Sequence, residues 1–143
     1  MKILLSLIGG LHTALYKATK GRVGGKMKKA PVLLLTTKGR KTGKVRTTPL
    51  LYSRDGDDVV VIASVGGGPN NPAWFYNLQG HKAQVQVGKE QWKVKAREAE
   101  GEERERLWQQ MVEIWPSYAE YQKKTTRRIP VVVLERFTPP SAP

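Results

Sequence analysis

The chain has 143 residues, which at about 100–200 residues per domain predicts a single domain over residues 1–143. Apolar residues make up 39% and charged residues 26%, a composition typical of a globular protein with a modest core. No apolar run approaches the roughly 20 residues of a membrane-spanning helix. Cysteine is absent, and His12 and His81 are far apart in sequence, so neither a disulfide nor a metal site is predicted.

The positive charge belongs to the first third of the chain. The formal net charge is +13, yet residues 1–54 contain 13 Lys and Arg and no acid, whereas residues 55–143 contain 12 of each sign. A surface of this kind attracts anions. Nucleic acid, anionic lipid and a phosphorylated cofactor all stay open at this point, beside a plain solvated basic face.

The two ends of the chain are expected to lie outside the central fold. Residues 1–20 carry apolar side chains at helical spacing and predict an amphipathic helix. This helix is expected to dock on the domain, with an interfacial position on anionic lipid as the alternative. Residues 21–29 are a basic, glycine-rich lead-in, and residues 138–143 are a flexible tail.

Six short strands with inserted helices are predicted between these ends. The strand patterns cover residues 31–37, 46–54, 59–64, 82–87, 91–98 and 129–136. A short helix is expected from an Asn71 N-cap, with Pro72 in first position, through about Gln79. Further helices are expected at 101–115 and 116–124. The hairpin-rich order favours an α+β fold, with an antiparallel sheet closed into a small barrel and helices packed outside.

Residues 36–48 (TTKGRKTGKVRTT) place five cations and two glycines at a strand–turn–strand junction. Guanidinium groups suit phosphate or carboxylate oxygens, and glycine lets the backbone approach a ligand. The spacing does not match a Walker P-loop. The segment predicts an anion site, with a solvated basic hairpin as the alternative.

Two further segments could contact a flat ligand. Residues 63–78 (ASVGGGPNNPAWFYNL) run from a strand through three glycines to a helix start, where a ring can lie against backbone, although surface turns also use glycine. Phe75 and Tyr76 are expected in the core. In residues 115–126 (WPSYAEYQKKTT), Tyr118 and Tyr121 share a helix face, where phenols either pack a barrel wall or line a pocket and donate hydrogen bonds.

In this order and spacing the three segments resemble the deazaflavin-dependent nitroreductase family, also described as F420-dependent quinone reductases. The resemblance extends from about residue 31 to residue 135 and includes TTKGRKTGKVRTTPLLY, DGDDVVVIASVGGGPNNPAWFYNL and WPSYAEYQKKTTRRIPVVVLE. It implies a split β-barrel of the flavin-reductase type in a cytoplasmic oxidoreductase. It also implies the cofactor coenzyme F420, a flat deazaflavin ring with a phosphate and an oligoglutamate tail, which accounts for the basic first third.

The resemblance implies a role for each matching position. The phosphate would be held by Arg40, Lys41 and Arg46, with Lys44 as a helper. The ring site would be formed by Thr48, Pro49, Ala63, Ser64, Gly66, Gly67, Trp74 and Asn77. The catalytic residues facing the substrate would be Ser64, Trp74, Tyr118 and Tyr121.

Three positions depart from the family pattern. Val65 stands where relatives often have lysine, a residue that would bind the anionic tail. Leu51 and Trp115 stand where nitroimidazole-reducing members can have tyrosine. The departures concern tail binding and nitro reduction, and they leave quinone reduction as implied by the resemblance.

The implied reaction transfers a hydride from reduced F420 to an electron-poor acceptor such as a quinone, enone or nitro compound. A Tyr or Ser hydroxyl, or water, supplies the proton. The alternatives are an FMN-binding oxidoreductase of the same barrel class and a basic nucleic-acid-binding domain. The expected partner is a small-molecule acceptor and not nucleic acid, in a monomer or dimer. Peripheral contact with anionic membrane, at the inner face of the plasma membrane, is compatible with this function.

Overall fold

The computed structural model describes residues 26–27, 30–79 and 82–137. The helix predicted for residues 1–20 and the tail predicted for residues 138–143 lie outside these ranges. The strands are β1 (Lys26–Met27), β2 (Ala30–Lys38), β3 (Val45–Leu51), β4 (Ser53–Asp55), β5 (Asp58–Ile62), β6 (Lys82–Val87), β7 (Glu90–Glu98) and β8 (Val131–Arg136). The helices are α1 (Ala73–Asn77), α2 (Gly101–Ile114) and α3 (Ser117–Lys123), and Val65–Gly67 form one 3-10 turn.

The strands form one sheet in which every pair is antiparallel. Its order is β1-β2-β6-β7-β8-β5-β4, and β3 pairs with β2. Across the described ranges no ladder joins β3 to β4 or β5, so the curled sheet keeps one open seam between β3 and β5. This architecture is the split β-barrel, and it confirms the predicted α+β fold class.

The central strands β5 and β8 are buried on both faces. On β5, Val59 and Val61 point into the barrel, whereas Val60 and Ile62 lie beneath the helices. On β8, alternate residues divide in the same way between the two clusters. Continuous runs of branched apolar residues such as VVVI therefore mark strands that are covered on both sides. The ends of β5 are fixed by this packing, and the candidate site begins where β5 ends.

The single strand predicted over residues 46–54 is wrong. The chain turns at Tyr52, whose N–H donates to the Pro31 carbonyl (3.2 Å) and whose ring is buried in the barrel. Before this residue β3 pairs with β2, and after it β4 pairs with β5. Alternation in a sequence shows which face of a strand is buried, but it does not show which strand lies beside it.

The predicted N-cap at Asn71 is also wrong. The N-cap of α1 is Pro72, with no side-chain cap hydrogen bond, and the helix ends at Asn77. The Asn71 Oδ1 atom instead accepts a hydrogen bond from Arg127 Nη1 (2.6 Å). Because a charged guanidinium is a stronger donor than a helix-end N–H, the Asn71 side chain accepts from Arg127 and does not cap α1.

The other predicted helices are confirmed to within a residue or two at their ends. Gly101–Ile114 packs on the outer face of the sheet and buries Leu107 and Met111 against the second core cluster. Arg106 of this helix forms an ion pair with Asp55 (3.1 Å), and this hydrogen-bonded pair holds the pKa of the Asp55 carboxyl below its ordinary value. Among the described residues, no helix has the length and hydropathy of a membrane span.

The attachment of α2 to the barrel can be tested with Leu107→Ala. Leu107 has no exposed surface, so the variant leaves a cavity in the second core cluster. We expect the free energy of unfolding, measured by urea denaturation, to fall by about 2–5 kcal/mol. The control is Gln109→Ala, which lies exposed on the same helix and should change that free energy by less than about 0.5 kcal/mol. Equal effects of the two variants would contradict the packing described here.

Candidate active site

A cavity of about 410 Å³ opens at the seam between β3 and β5. Residues 48–51 of β3 form one side, and the end of β5 with the turn that follows forms the other. Trp74, Trp115, Tyr118 and Tyr121 complete the lining with aromatic surface. Cavities of roughly 300–1,000 Å³ with mainly apolar walls and a few polar groups are typical of small-molecule sites.

Two glycines shape the wall that follows β5. Gly67 has φ +84°, and a Cβ atom there would lie 2.6 Å from the Tyr121 carbonyl oxygen, so only glycine fits against α3. Gly66 has φ +60° and nothing within 4 Å of its Cβ position, which leaves its backbone open to the cavity side. The turn is thus closely packed against α3 at Gly67, and it presents no side chain at Gly66.

Val65 holds a conformation that valine rarely adopts. Its φ is +45°, in the left-handed region, and its side chain is 55% exposed at the rim of the cavity. A β-branched residue in this region stores on the order of 1–3 kcal/mol of strain, and such strain persists only where the surroundings enforce it.

The residues on either side of Val65 accept hydrogen bonds from a residue that the sequence analysis did not single out. Arg127, in the loop between α3 and β8, donates hydrogen bonds to the Ala63, Ser64 and Gly68 carbonyls and to Asn71 Oδ1. Arg127 lies within the family-like segment, but nothing in the order of residues shows that its guanidinium reaches back about sixty positions. Only the fold brings the two together.

The two tyrosines of α3 meet edge to face. The ring centroids of Tyr118 and Tyr121 are 6.0 Å apart at an interplanar angle of 81°, and the Trp108 ring centroid lies 6.4 Å from that of Tyr118. Tyr118 is only 5% exposed, and burial, together with the neighbouring Tyr121, raises the pKa of its phenol above the ordinary value. Tyr118 therefore packs the wall and lines the cavity as a neutral hydroxyl.

The predicted anion site is a hydrogen-bonded turn between β2 and β3. The Gly39 N–H donates to the Lys44 carbonyl (2.7 Å), and the Gly43 N–H donates to the Gly39 carbonyl (2.8 Å). Lys38, Arg40 and these glycines line a second hollow of about 290 Å³. The cations of the segment, Lys38, Arg40, Lys41, Lys44 and Arg46, are all exposed. Within the described ranges none of them has a carboxylate within ion-pair distance.

Asn77 of α1 contacts this turn, and Trp74 of the same helix lines the seam cavity. The Asn77 Oδ1 accepts a hydrogen bond from the Arg40 N–H (3.1 Å), and its Nδ2 donates to Thr37 Oγ1 (3.4 Å). The Arg40 guanidinium carbon lies 4.9 Å from the centre of the Tyr76 ring. Tyr76 was expected in the core, but it is half-buried and supports Arg40. Helix α1 thus holds the basic turn with one buried amide and one aromatic face.

The structure divides the predicted site residues into three groups. Those that line the seam cavity are Thr48, Pro49, Ser64, Gly66, Trp74, Tyr118 and Tyr121. Those on the basic turn and the strand that leaves it are Arg40, Lys41, Lys44 and Arg46. Those buried behind these surfaces are Ala63, Gly67 and Asn77. The cavity also includes Leu50 and Ile62, which the sequence analysis did not propose because apolar residues in strands are expected in the core, and Pro72, which it considered only as the start of a helix.

Comparison with known proteins gives the family. The family model described as F420H(2)-dependent quinone reductase matches residues 10–136. An F420H(2)-dependent quinone reductase of Mycobacterium tuberculosis strain H37Rv is 43% identical over 131 residues, which are 88% of each chain. The chain belongs to the F420H(2)-dependent quinone reductase family. It is therefore an F420-dependent oxidoreductase, and the resemblance found in the sequence is confirmed.

Solved structures support this family and its fold. A structure of an F420-H2 dependent reductase (FDR-A) is 44% identical, with a TM-score of 0.68, and covers 73% of this chain and 94% of its own. A structure described as a domain-swapped dimer is 39% identical, with a TM-score of 0.70, and covers 86% and 94%. The heme storage protein HutZ of Vibrio cholerae is 11% identical with a TM-score of 0.57, covering 87% and 89%, and shows the shared fold alone.

The neutral state of Tyr118 in this reductase can be tested by titration. Burial raises the pKa of its phenol, so in the folded protein it stays protonated through its ordinary value near 10. The difference in tyrosinate absorbance between the native protein and Tyr118→Phe should be absent below about pH 10. Because the unfolded chain ionises first, this residue's contribution to the unfolding free energy should decline above that pH. Ionisation of about half of Tyr118 near pH 10, as in an ordinary tyrosine, would contradict the burial.

Proposed function

We propose that this reductase binds a quinone in the seam cavity and holds the phosphate of F420 on the turn at residues 39–44. One observation carries the proposal: the exposed cations of this turn have no carboxylate partner in the described chain, and the helix that contacts the turn also contributes to the seam cavity. Asn77 of α1 accepts a hydrogen bond from the Arg40 N–H, and Trp74 of α1 lines the cavity. F420 has a flat ring that suits the seam cavity and an anionic side chain that suits the basic turn.

The residues present fit such a cofactor. Arg40, Lys41 and Arg46, with Lys44 as a helper, would hold the phosphate through charge-assisted hydrogen bonds. The bare backbone at Gly66 would accept the face or edge of a ring, since no side chain stands in front of it. Reduced F420, when bound, supplies a hydride to an electron-poor acceptor.

The chain's own contribution is to orient the acceptor and deliver a proton. Trp74 and Tyr121 form flat walls of the cavity that limit how a quinone can lie. Reduction of a quinone to a hydroquinone takes two electrons and two protons, of which the hydride supplies both electrons and one proton. The second proton would reach the acceptor oxygen from Ser64 Oγ or the Tyr121 hydroxyl, with water as the source that reprotonates them.

The alternative functions receive less support from the described residues. Proteins that bind single-stranded nucleic acid use exposed aromatic rings between basic residues. In the described part of the acid-free segment, Tyr52 is only 9% exposed and faces the barrel interior. An FMN enzyme of the same barrel class would carry visible flavin after purification. Reduction of enones and nitro compounds, peripheral contact with anionic membrane, and the choice between monomer and dimer stay predictions from the sequence.

Phosphate binding can be tested with Arg40→Ala and Arg46→Ala. Loss of a hydrogen bond to a charged group removes about 1.5–3 kcal/mol, so each variant should raise the Kd for F420 by roughly ten- to a hundredfold. The measurement is a fluorescence titration with oxidised F420 at low ionic strength. Arg54→Ala is the matched control, because Arg54 is exposed in the same acid-free segment but lies on β4. Equal Kd values for all three variants would refute this phosphate site.

Proton delivery can be tested with the double variant Ser64→Ala, Tyr121→Phe. Both hydroxyls belong to the cavity lining, and loss of a general acid lowers kcat by about a hundredfold or more. The assay follows the oxidation of reduced F420 by menadione at saturating F420, so that any loss of affinity for the cofactor does not lower the measured kcat. Native protein that gives no turnover above the protein-free rate with menadione or other quinones would count against the proposed function itself.

A further inference from the structure

We propose that Arg127 is a positioning residue for this reaction, whose guanidinium holds the turn at Val65–Gly67 in the strained shape that forms one wall of the seam cavity. The proposal rests on the proposed function, because the turn matters for the reaction only if a ligand binds against it. Arg127 is not a lining residue of the cavity, so its effect passes through the turn.

The guanidinium of Arg127 uses its whole set of donors on one segment. Nε donates to the Gly68 carbonyl (2.9 Å), Nη1 to Asn71 Oδ1 (2.6 Å) and the Ala63 carbonyl (3.2 Å), and Nη2 to the Ser64 (2.8 Å) and Ala63 (3.2 Å) carbonyls. An arginine has five N–H donors in a fixed planar fork, and here each contact ends within residues 63–71. Such a fork fixes the relative positions of its acceptors, which a single flexible ammonium group would not do.

The contacts enclose the strained residues. Val65, Gly66 and Gly67 have φ values of +45°, +60° and +84°, so three consecutive residues lie in the left-handed region. The Ser64 and Gly68 carbonyls, immediately before and after them, both accept hydrogen bonds from Arg127. Fixing both ends of the stretch holds Val65 in a conformation that it would otherwise leave.

Arg127 and the turn that it holds both contact α3, the helix that carries Tyr118 and Tyr121. Gln122 of α3 donates through Nε2 to the Arg127 carbonyl (2.8 Å), and Gly67 packs against the Tyr121 backbone. Arg127 and Gly67 therefore fix the position of the turn at Val65–Gly67 relative to α3, which carries Tyr118 and Tyr121. Loss of the guanidinium would let the turn at Val65–Gly67 leave the conformation that accepts a ring.

The first test compares Arg127→Met with Arg128→Met, each of which removes one positive charge. Arg128 is the exposed neighbour and serves as the matched control. We expect the Kd for F420, from fluorescence titration, to rise about tenfold or more in Arg127→Met and less than about twofold in Arg128→Met. Circular dichroism and the thermal transition establish that both variants fold.

The second test separates positioning from a general structural role. Glycine adopts a left-handed φ without strain, so Val65→Gly should recover part of the affinity that Arg127→Met loses. The two changes should therefore be non-additive in a double-mutant cycle on the Kd for F420, whereas additive effects would overturn the proposal. Should Arg127→Met not fold, Arg127→Lys keeps the positive charge but lacks the planar fork that reaches the Ser64 and Gly68 carbonyls together. A raised Kd in that variant supports the proposal, and an unchanged Kd overturns it.

The outcomes also distinguish this proposal from the proposed function. Native protein that does not bind F420 would remove the proposed cofactor site and this proposal with it. Native protein that binds F420, together with an Arg127→Met variant of unchanged Kd, would overturn the positioning role alone.

Discussion

The open seam between β3 and β5 is the constraint on which the rest of the molecule depends. It exists because the chain turns at Tyr52, so that β3 pairs with β2 while β4 pairs with β5. Pro49 lies within β3 and has no N–H to offer a further strand, as is usual for proline on a sheet edge. The unpaired edge leaves space that α1, α3 and the glycine turn cover only in part.

The fold determines where part of the positive charge of the first third lies. A basic first third could serve many anions, but the fold places part of it, the turn at residues 39–44, next to α1. Asn77 and Tyr76 hold Arg40 from that helix, and Trp74 of the same helix lines the seam cavity. One short helix thus contacts both the basic turn and the seam cavity, the two surfaces on which the proposed cofactor site depends.

The sequence predicted the fold class and most strands, because apolar runs and hairpin turns are local signals. It also predicted the basic turn and the glycine turn, since the residue types themselves carry the chemistry. It failed at Tyr52 and Asn71, where the outcome depended on a distant partner: the Pro31 carbonyl for the first and the Arg127 guanidinium for the second. The sequence also did not predict a role for Arg127, because its hydrogen-bond acceptors lie about sixty positions earlier in the chain.

By itself, then, the sequence determined the alternation that builds a small antiparallel barrel, the separation of charge along the chain, and a resemblance specific enough to give the family. Tertiary structure decided which predicted residues share a cavity, which are buried behind it, and which distant arginine clamps the strained turn. The physical reason is range. Propensity and periodicity act over a few neighbouring residues, whereas a hydrogen bond from residue 127 to residue 64 exists only after the sheet has formed.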